Sequence, residues 1–370
     1  MRALHWLSAI GLIVGATLAV RAERLPVKTY TTTDGLAHNS VERIVRDSRG
    51  FLWFCTFEGL SRFDGYGFTT YGVDQGLPSP VVHDLLETRT GEYWVGTGGG
   101  LCRFDPRGIA QPHAAKGAQQ STSSNAMFSV YVPGEDADSR SVTSLFEDRN
   151  GVIWCGTARG LYRLEKSNGE AVFRLVELGI LTQVTSIIED RHGALWIGSI
   201  NGVYRLVPEG SAESYRTSNG LPNDHIHSLL EDREGRIWVA TRASGLCRLV
   251  SDPEATRPVV ARFYTAKDGL PARWINQIFQ ASDGSLWAGS NEGLIRFVSD
   301  GGGDFRFRVY SEPHGLSFHE VESLAEDRNQ NLWLGIAGSG GTVKLARSGF
   351  TAFAQADGFR GSEAAARQLD

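Results

Sequence analysis

The sequence is short of everything that would mark a helical protein. It has no long apolar runs at a 3.6-residue period, and its 44 glycines stand against only two methionines. That balance points to many short strands joined by glycine turns, hence to an all-β chain. Nothing after Ala22 is apolar for long enough to cross a bilayer. Basic runs are missing too, so nucleic acid is excluded as an expected partner. There is no nucleophile elbow, no phosphate loop and no His-Glu-x-x-His helix. No catalytic residue, cofactor or metal site is therefore expected, and these 370 residues are not expected to be an enzyme.

The first residues differ from the rest. Arg2 precedes an apolar stretch, Leu7 to Val20, and small or modest residues follow at Val20-Arg21-Ala22. This pattern predicts a secretory signal over residues 1–22, and with it an exported, periplasmic protein. Without Arg2 and Arg21, 35 basic residues face 42 acidic ones, a net charge of −7. Four cysteines in an exported chain suggest two disulfides, but their positions argue for buried free thiols. Cys55 takes a place where the other repeats carry Gly96, Gly156, Gly198, Ala240, Gly289 and Gly335, which marks a slot for a small residue.

What the sequence does have is a repeat. Trp53, Trp94, Trp154, Trp196, Trp238, Trp287 and Trp333 are spaced by 41, 60, 42, 42, 49 and 46 residues. Such a period is expected of a seven-bladed β-propeller of four-stranded antiparallel blades, each unable to bury its faces alone. The tryptophans are its structural anchors. Twelve residues before each tryptophan stands Val or Ile, and nine before it Ile or Leu. The two positions differ in parity, which predicts opposite faces of an inner strand covered on both sides.

Two turns flank the tryptophan. Asp47, Asp148, Asp190, Asp232 and Asp327 open the first, and Gly50, Gly151, Gly193 and Gly235 close it three residues on in four repeats. The carboxylate is expected to bond the turn's own backbone, a structural role. The second turn reads as a three-residue loop ending in glycine, as in Ala158-Arg159-Gly160. That loop would set Trp154 opposite Leu164 and Cys155 opposite Arg163. The third strand carries Arg62, Arg103, Arg163, Arg205, Arg248, Arg296 or Lys344, and in this register the cations point away from the indoles toward carboxylates or backbone.

Outer strands are expected at Phe68–Tyr71, Val172–Val176, Val259–Tyr264 and Phe305–Tyr310, several leading into a connector such as Asp34-Gly35-Leu36 or Asp268-Gly269-Leu270. The propeller domain is placed at residues 23–349. Within it, 106–140 contains a polar insertion too poor in apolar residues to build a core, with an outer strand near Ala126 to Val132. Val27 to Thr33 and Thr351 to Gln355 compete to complete blade seven. The N-terminal segment is favoured because closure by the opposite end of the chain leaves no weak seam. The tail 350–370 then reads as the start of a further domain or second propeller, and the chain as a piece of a longer one.

The stretches YTTTDGL, EDRNGVIWCGTARGLYRL and NGLPNDHIHSLLEDREGRIWVATRASGLCRL closely resemble the repeats of the two-component regulator propeller family. The likeness covers about residues 27 to 360 and recurs seven times. It implies the periplasmic sensor region of a hybrid histidine kinase or related regulator, with any kinase activity in a downstream region. His319-Glu320 resembles a kinase histidine box, but it stands at the entrance to a strand, where that motif needs a helix. The resemblance further implies a small-molecule or oligosaccharide ligand and a homodimer formed through a membrane-anchored full-length protein.

The connectors and the tryptophan-strand turns should share one face of the ring, and there the repeats diverge. This face supplies the candidate ligand-binding residues His38, Asn39, Phe57, Glu58, Arg159, Asn201, Asp224, His225, Arg242, Arg273, Trp274, Asn291, Glu292 and His319. Trp274 beside Arg273 could stack on a ligand next to a cation, or plug the channel mouth or pack on a neighbouring blade. Two other functions stay open: a secreted protein-interaction platform, marked by a flatter apolar patch, and a propeller glycosidase or lyase, which needs convergent carboxylates or an arginine cluster.

Overall fold

A computed structural model of the protein describes residues 25–347, apart from 111–125, 168–169, 178, 180–181, 208–211, 251–258 and 317. The expected signal segment, the tail, the Thr351–Gln355 strand and most of the polar insertion lie outside the described residues. Seven four-stranded antiparallel sheets make the seven-bladed propeller. Blade one runs outward through Val41–Arg46, Leu52–Thr56, Gly59–Phe63 and Phe68–Tyr71. The other inner strands are Val82–Glu87, Val142–Glu147, Val184–Glu189, Ile226–Glu231, Ile275–Gln280 and Val321–Glu326. Among the described residues the one α-helix is a single turn, Ala137–Arg140.

Each tryptophan packs against the next blade as well as its own. Trp53 clusters with Val82, Leu85 and Val95 of blade two, and Trp333 closes the circle on Val41, Ile44 and Phe54 of blade one. This packing explains the small residue two places after the tryptophan. A Cβ on Gly289 would stand 2.5 Å from the Val321 carbonyl of the neighbouring blade, well inside contact distance. All four cysteines are buried and free, and burial raises their thiol pKa values.

The turn aspartates do more than bond their own backbone. Asp47 accepts the Phe51 amide at 2.8 Å with one carboxylate oxygen and the Trp53 indole N–H at 3.0 Å with the other. Asp148, Asp190, Asp232 and Asp327 likewise take the indoles of Trp154, Trp196, Trp238 and Trp333. Where the aspartate is replaced, the indole must look elsewhere. Trp287 uses the Ser285 hydroxyl at 2.9 Å, and Trp94, with Thr88 six residues before it, has no partner at Nε1.

Two expectations are corrected. First, all seven inner strands carry a bulge: Val41 pairs with Thr56 and Arg43 with Cys55, leaving Glu42 over, and the other six show the same shift. The extra residue cancels the difference in parity. Val41 and Ile44 therefore lie on one face, opposite Thr56 and Phe54, in a single inter-blade cluster. Second, the tryptophan-strand hairpin has a two-residue loop, because Thr157 pairs with Gly160. Trp154 consequently faces Arg163, Cys155 faces Tyr162, and Leu164 faces Ile153. The cations turn toward the indoles: Arg205 and Arg296 stand 5.4 Å from the rings of Trp196 and Trp287, and Lys344 stands 5.7 Å from Trp333. Arg62 and Arg248 do the same, at 5.9 Å and 6.0 Å. In blades two and three, Arg103 and Arg163 instead pair with Glu92 and Glu165.

The ring is closed as expected, by Val27–Tyr30 pairing antiparallel with Thr342–Leu345 in blade seven. Tyr30 stacks on Trp333 with ring centroids 5.3 Å apart. On the face of the acidic turns a second belt joins the blades. Glu87, Glu147, Glu189 and Glu231 accept the amides of Ser48, Arg89, Arg149 and Arg191 in the preceding blade. Gln280 and Glu326 take Arg233 and Ser282 in the same way. At the joint between blades seven and one the polarity reverses, since Arg46 occupies the acceptor position and donates to the Asp327 carbonyl at 3.1 Å.

Candidate functional site

The connectors and tryptophan-strand turns do share a face. The amides of Ala158, Ile200 and Arg242 bond the carbonyls of Ser141, Gln183 and His225 at the entrances of their own inner strands. Five connectors are a single 3-10 turn ending in a left-handed glycine. In each, the residue before that glycine reaches back to an amide: Asp34 to Thr31, Gln75 to Gly72, Asn219 to Arg216, Asp268 to Thr265 and His314 to Ser311. These side chains hold the loops that frame the mouth of the channel.

Inside the frame lies a cavity of about 410 Å³ to which all seven inner strands contribute. Its inner wall is made by the bulge residues. An unpaired residue in an inner strand sits neither in the ladder nor between blades, and here it lines the hole in the ring. Glu42, His83, Thr143, Thr185, His227, Asn276 and Glu322 are those residues in blade order, and all line the cavity. Ser40, Arg43, Phe57, Gln183, His225, Ser228, Arg242 and Gln277 complete it. A second hollow, at Trp196 and Arg205 between blades four and five, measures about 20 Å³ and can hold little more than a water.

The charges in the large cavity are unevenly placed. His83 bonds Glu42 at 2.6 Å, and Arg43 is held by buried Asp84 at 3.2 Å. Glu322 meets no cation among the described residues. Its pKa is pushed up to about 7, first by burial and then by the carboxylates of Glu320 and Glu42. On blade five the pattern inverts. His227 accepts the Trp274 indole N–H at 3.3 Å, and burial, helped by His225 and Arg242, holds its pKa down at about 4. Asn276 offsets this only in part. Burial followed by Arg242 also lowers His225. The Arg242 guanidinium lies 4.4 Å from the Trp274 ring, with no carboxylate within ion-pair distance among the described residues.

The candidates read from sequence divide into three sets. Phe57, His225 and Arg242 line the cavity, and half-buried Trp274 stands at its rim on Arg242 and His227. Its cation is thus Arg242 and not its neighbour Arg273, whose side chain is exposed and whose carbonyl takes the Gly245 amide. A second set holds loops: Asn39 and Asp224 accept the Thr32 and Thr217 amides, and His38 takes the Ser40 amide while packing edge-on to Phe57. The third set faces outward. Glu58, Asn201 and Glu292 are exposed, Asn291 is half-buried beside them, Arg159 stands 3.9 Å from Asp136, and His319 pairs with Glu312 at 3.1 Å. Sequence reasoning missed the bulge ring, although every residue eleven places before a tryptophan is polar.

Comparison with known proteins agrees with the repeat. The family model "Two component regulator propeller" matches residues 35–58, 76–99, 137–159, 179–201, 220–243 and 269–292, one segment in each of blades one to six. A histidine kinase of Formosa agariphila is 28% identical over 81 residues, which make up 20% of this chain and 6% of that protein. Among solved structures, the extracellular domain of a hybrid two-component system from B. thetaiotaomicron superposes with a TM-score of 0.69 at 23% identity, over 90% of this chain and 43% of that one. Virginiamycin B lyase from Staphylococcus aureus gives 0.62 at 14% identity, over 87% and 98%. At such identities these two likenesses are of fold alone, and the chain spans less than half of the two-component domain. Its sequence repeats are more specific: six of the seven blades are two-component regulator propeller repeats, and with them the chain takes its place in that family.

Proposed function

We propose that this chain is the extracytoplasmic ligand-sensing propeller of a two-component signalling protein, and that a small molecule or oligosaccharide binds in the channel mouth. The observation that carries this reading is the cavity itself. It is concave, built from all seven blades, and lined by polar and aromatic side chains, seven of them at the bulge position. A surface for docking another protein would instead be a flat apolar patch. The lyase likeness concerns fold alone, and a shared propeller carries many functions. Family membership favours a role in sensing, with export and tethering to a membrane belonging to the longer protein.

Titration calorimetry and thermal melts with a panel of oligosaccharides, amino acids and short peptides test the proposal. At least one class should bind and raise the melting temperature, and His83→Ala or Arg242→Ala should weaken that binding without unfolding the protein. Binding that survives both substitutions unchanged would place the site elsewhere and refute it.

A further inference from the structure

The channel mouth is short of a cation on one arc and of an anion on the next. Consecutive blades six, seven and one present Asn276, Glu322 and Glu42 to the cavity. Asn276 is 6% exposed, its Nδ2 is spent on the Val321 carbonyl at 3.1 Å, and its Oδ1 has the His227 ring beside it but outside hydrogen-bond geometry. A buried amide oxygen without a donor is costly, and a ligand N–H would satisfy it. Beside it, Glu322 and Glu42 crowd like charge into a partly desolvated space, where His83 is already bonded to Glu42 and Arg43 to Asp84. A carboxylate so placed favours an ammonium group over a neutral hydroxyl. The adjoining corner on blade five has the opposite deficit. The Arg242 guanidinium lies over Trp274 with no carboxylate within ion-pair distance among the described residues, and burial, followed by that cation, lowers the pKa values of the two nearby histidines.

We infer that the ligand of this cavity is a small zwitterion, an amino acid or short peptide, with its ammonium group among Asn276, Glu322 and Glu42 and its carboxylate on Arg242. The inference rests on the reading of the channel mouth as the ligand site and narrows it to one chemical class. The Trp274 face beside Arg242 is suited to the apolar part of such a molecule. A neutral saccharide would leave both charge deficits unmet and would have to displace water from Glu322 and Arg242 without replacing its bonds.

Calorimetry on the whole chain distinguishes these cases. The probes are ω-amino acids from glycine to 6-aminohexanoate, glycyl di- and tripeptides, and the matched monofunctional amines and carboxylates, with neutral oligosaccharides in parallel. At least one zwitterion should bind about tenfold or more tightly than either of its monofunctional halves, since each end adds a charge-assisted contact. Glu322→Gln should remove the preference for the amine and Arg242→Met the preference for the carboxylate, both with unchanged circular dichroism. An oligosaccharide that binds indifferently to both substitutions overturns the zwitterion while leaving a sensor site. The absence of binding by every probe to the folded protein overturns both.

Discussion

Single residues in this ring are set by what the neighbouring blade places against them. Glu322 is the clearest case, because burial and the carboxylates of Glu320 and Glu42 keep its proton on to about pH 7, while in the unfolded chain it leaves near 4.5. Unfolding therefore releases a proton between those values, and the folded state loses stability as pH rises through that window. Glu322→Gln should match the wild type below about pH 4, gain on it up to about pH 7, and then hold a constant lead of about 3 kcal/mol. Urea denaturation at several pH values measures this, and a lead that does not depend on pH would mean that Glu322 is ordinary. The turn aspartates show the same dependence on surroundings: each carboxylate is shared between a backbone turn and an indole, so neither role alone accounts for it.

Among the elements, the tryptophan-strand hairpin sets the register of every blade. Gly293, the first residue after its loop in blade six, has φ 120°, and a Cβ there would come 2.2 Å from the Tyr310 carbonyl of the outer strand. Gly293→Ala should thus cost about 2 to 3 kcal/mol in chemical denaturation, through strain and loss of that close approach. A change below 0.5 kcal/mol would mean that the outer strand yields freely. The tryptophans, the apolar positions before them and the acidic turns were all legible in sequence, because each recurs with one residue type. Register was not, since a glycine in third place fits a two-residue loop as well as a three-residue one, and only the pairing of Thr157 with Gly160 decides. The candidate site was half legible for a related reason. Phe57, His225, Arg242 and Trp274 stand in loops where variation draws notice. Glu42, His83 and Glu322 stand within strands, and their polarity at a shared repeat position does not by itself show that a one-residue bulge turns them into the channel.

For the whole molecule, stability depends on seven inter-blade joints rather than on a central core. Each joint combines a tryptophan packed on the next blade with a bond across the acidic turns, and the joint between blades seven and one differs in both strand order and bond polarity. A protein lacking residues 1–31 should lose the partner of Thr342–Leu345 and the Tyr30 stack on Trp333. Its melting temperature should fall sharply, and a synthetic peptide of residues 25–34 should restore it in proportion to the logarithm of peptide concentration. Melting unchanged by the truncation would mean that three strands suffice for blade seven. The same closure has a consequence in time. Val27–Tyr30 precedes every blade in the order of synthesis, yet the strand it pairs with is followed by only two more described residues. Through synthesis it travels as an unmatched edge, so the first of the propeller's strands to be made is the last to be seated, and the ring cannot shut before its seventh blade exists.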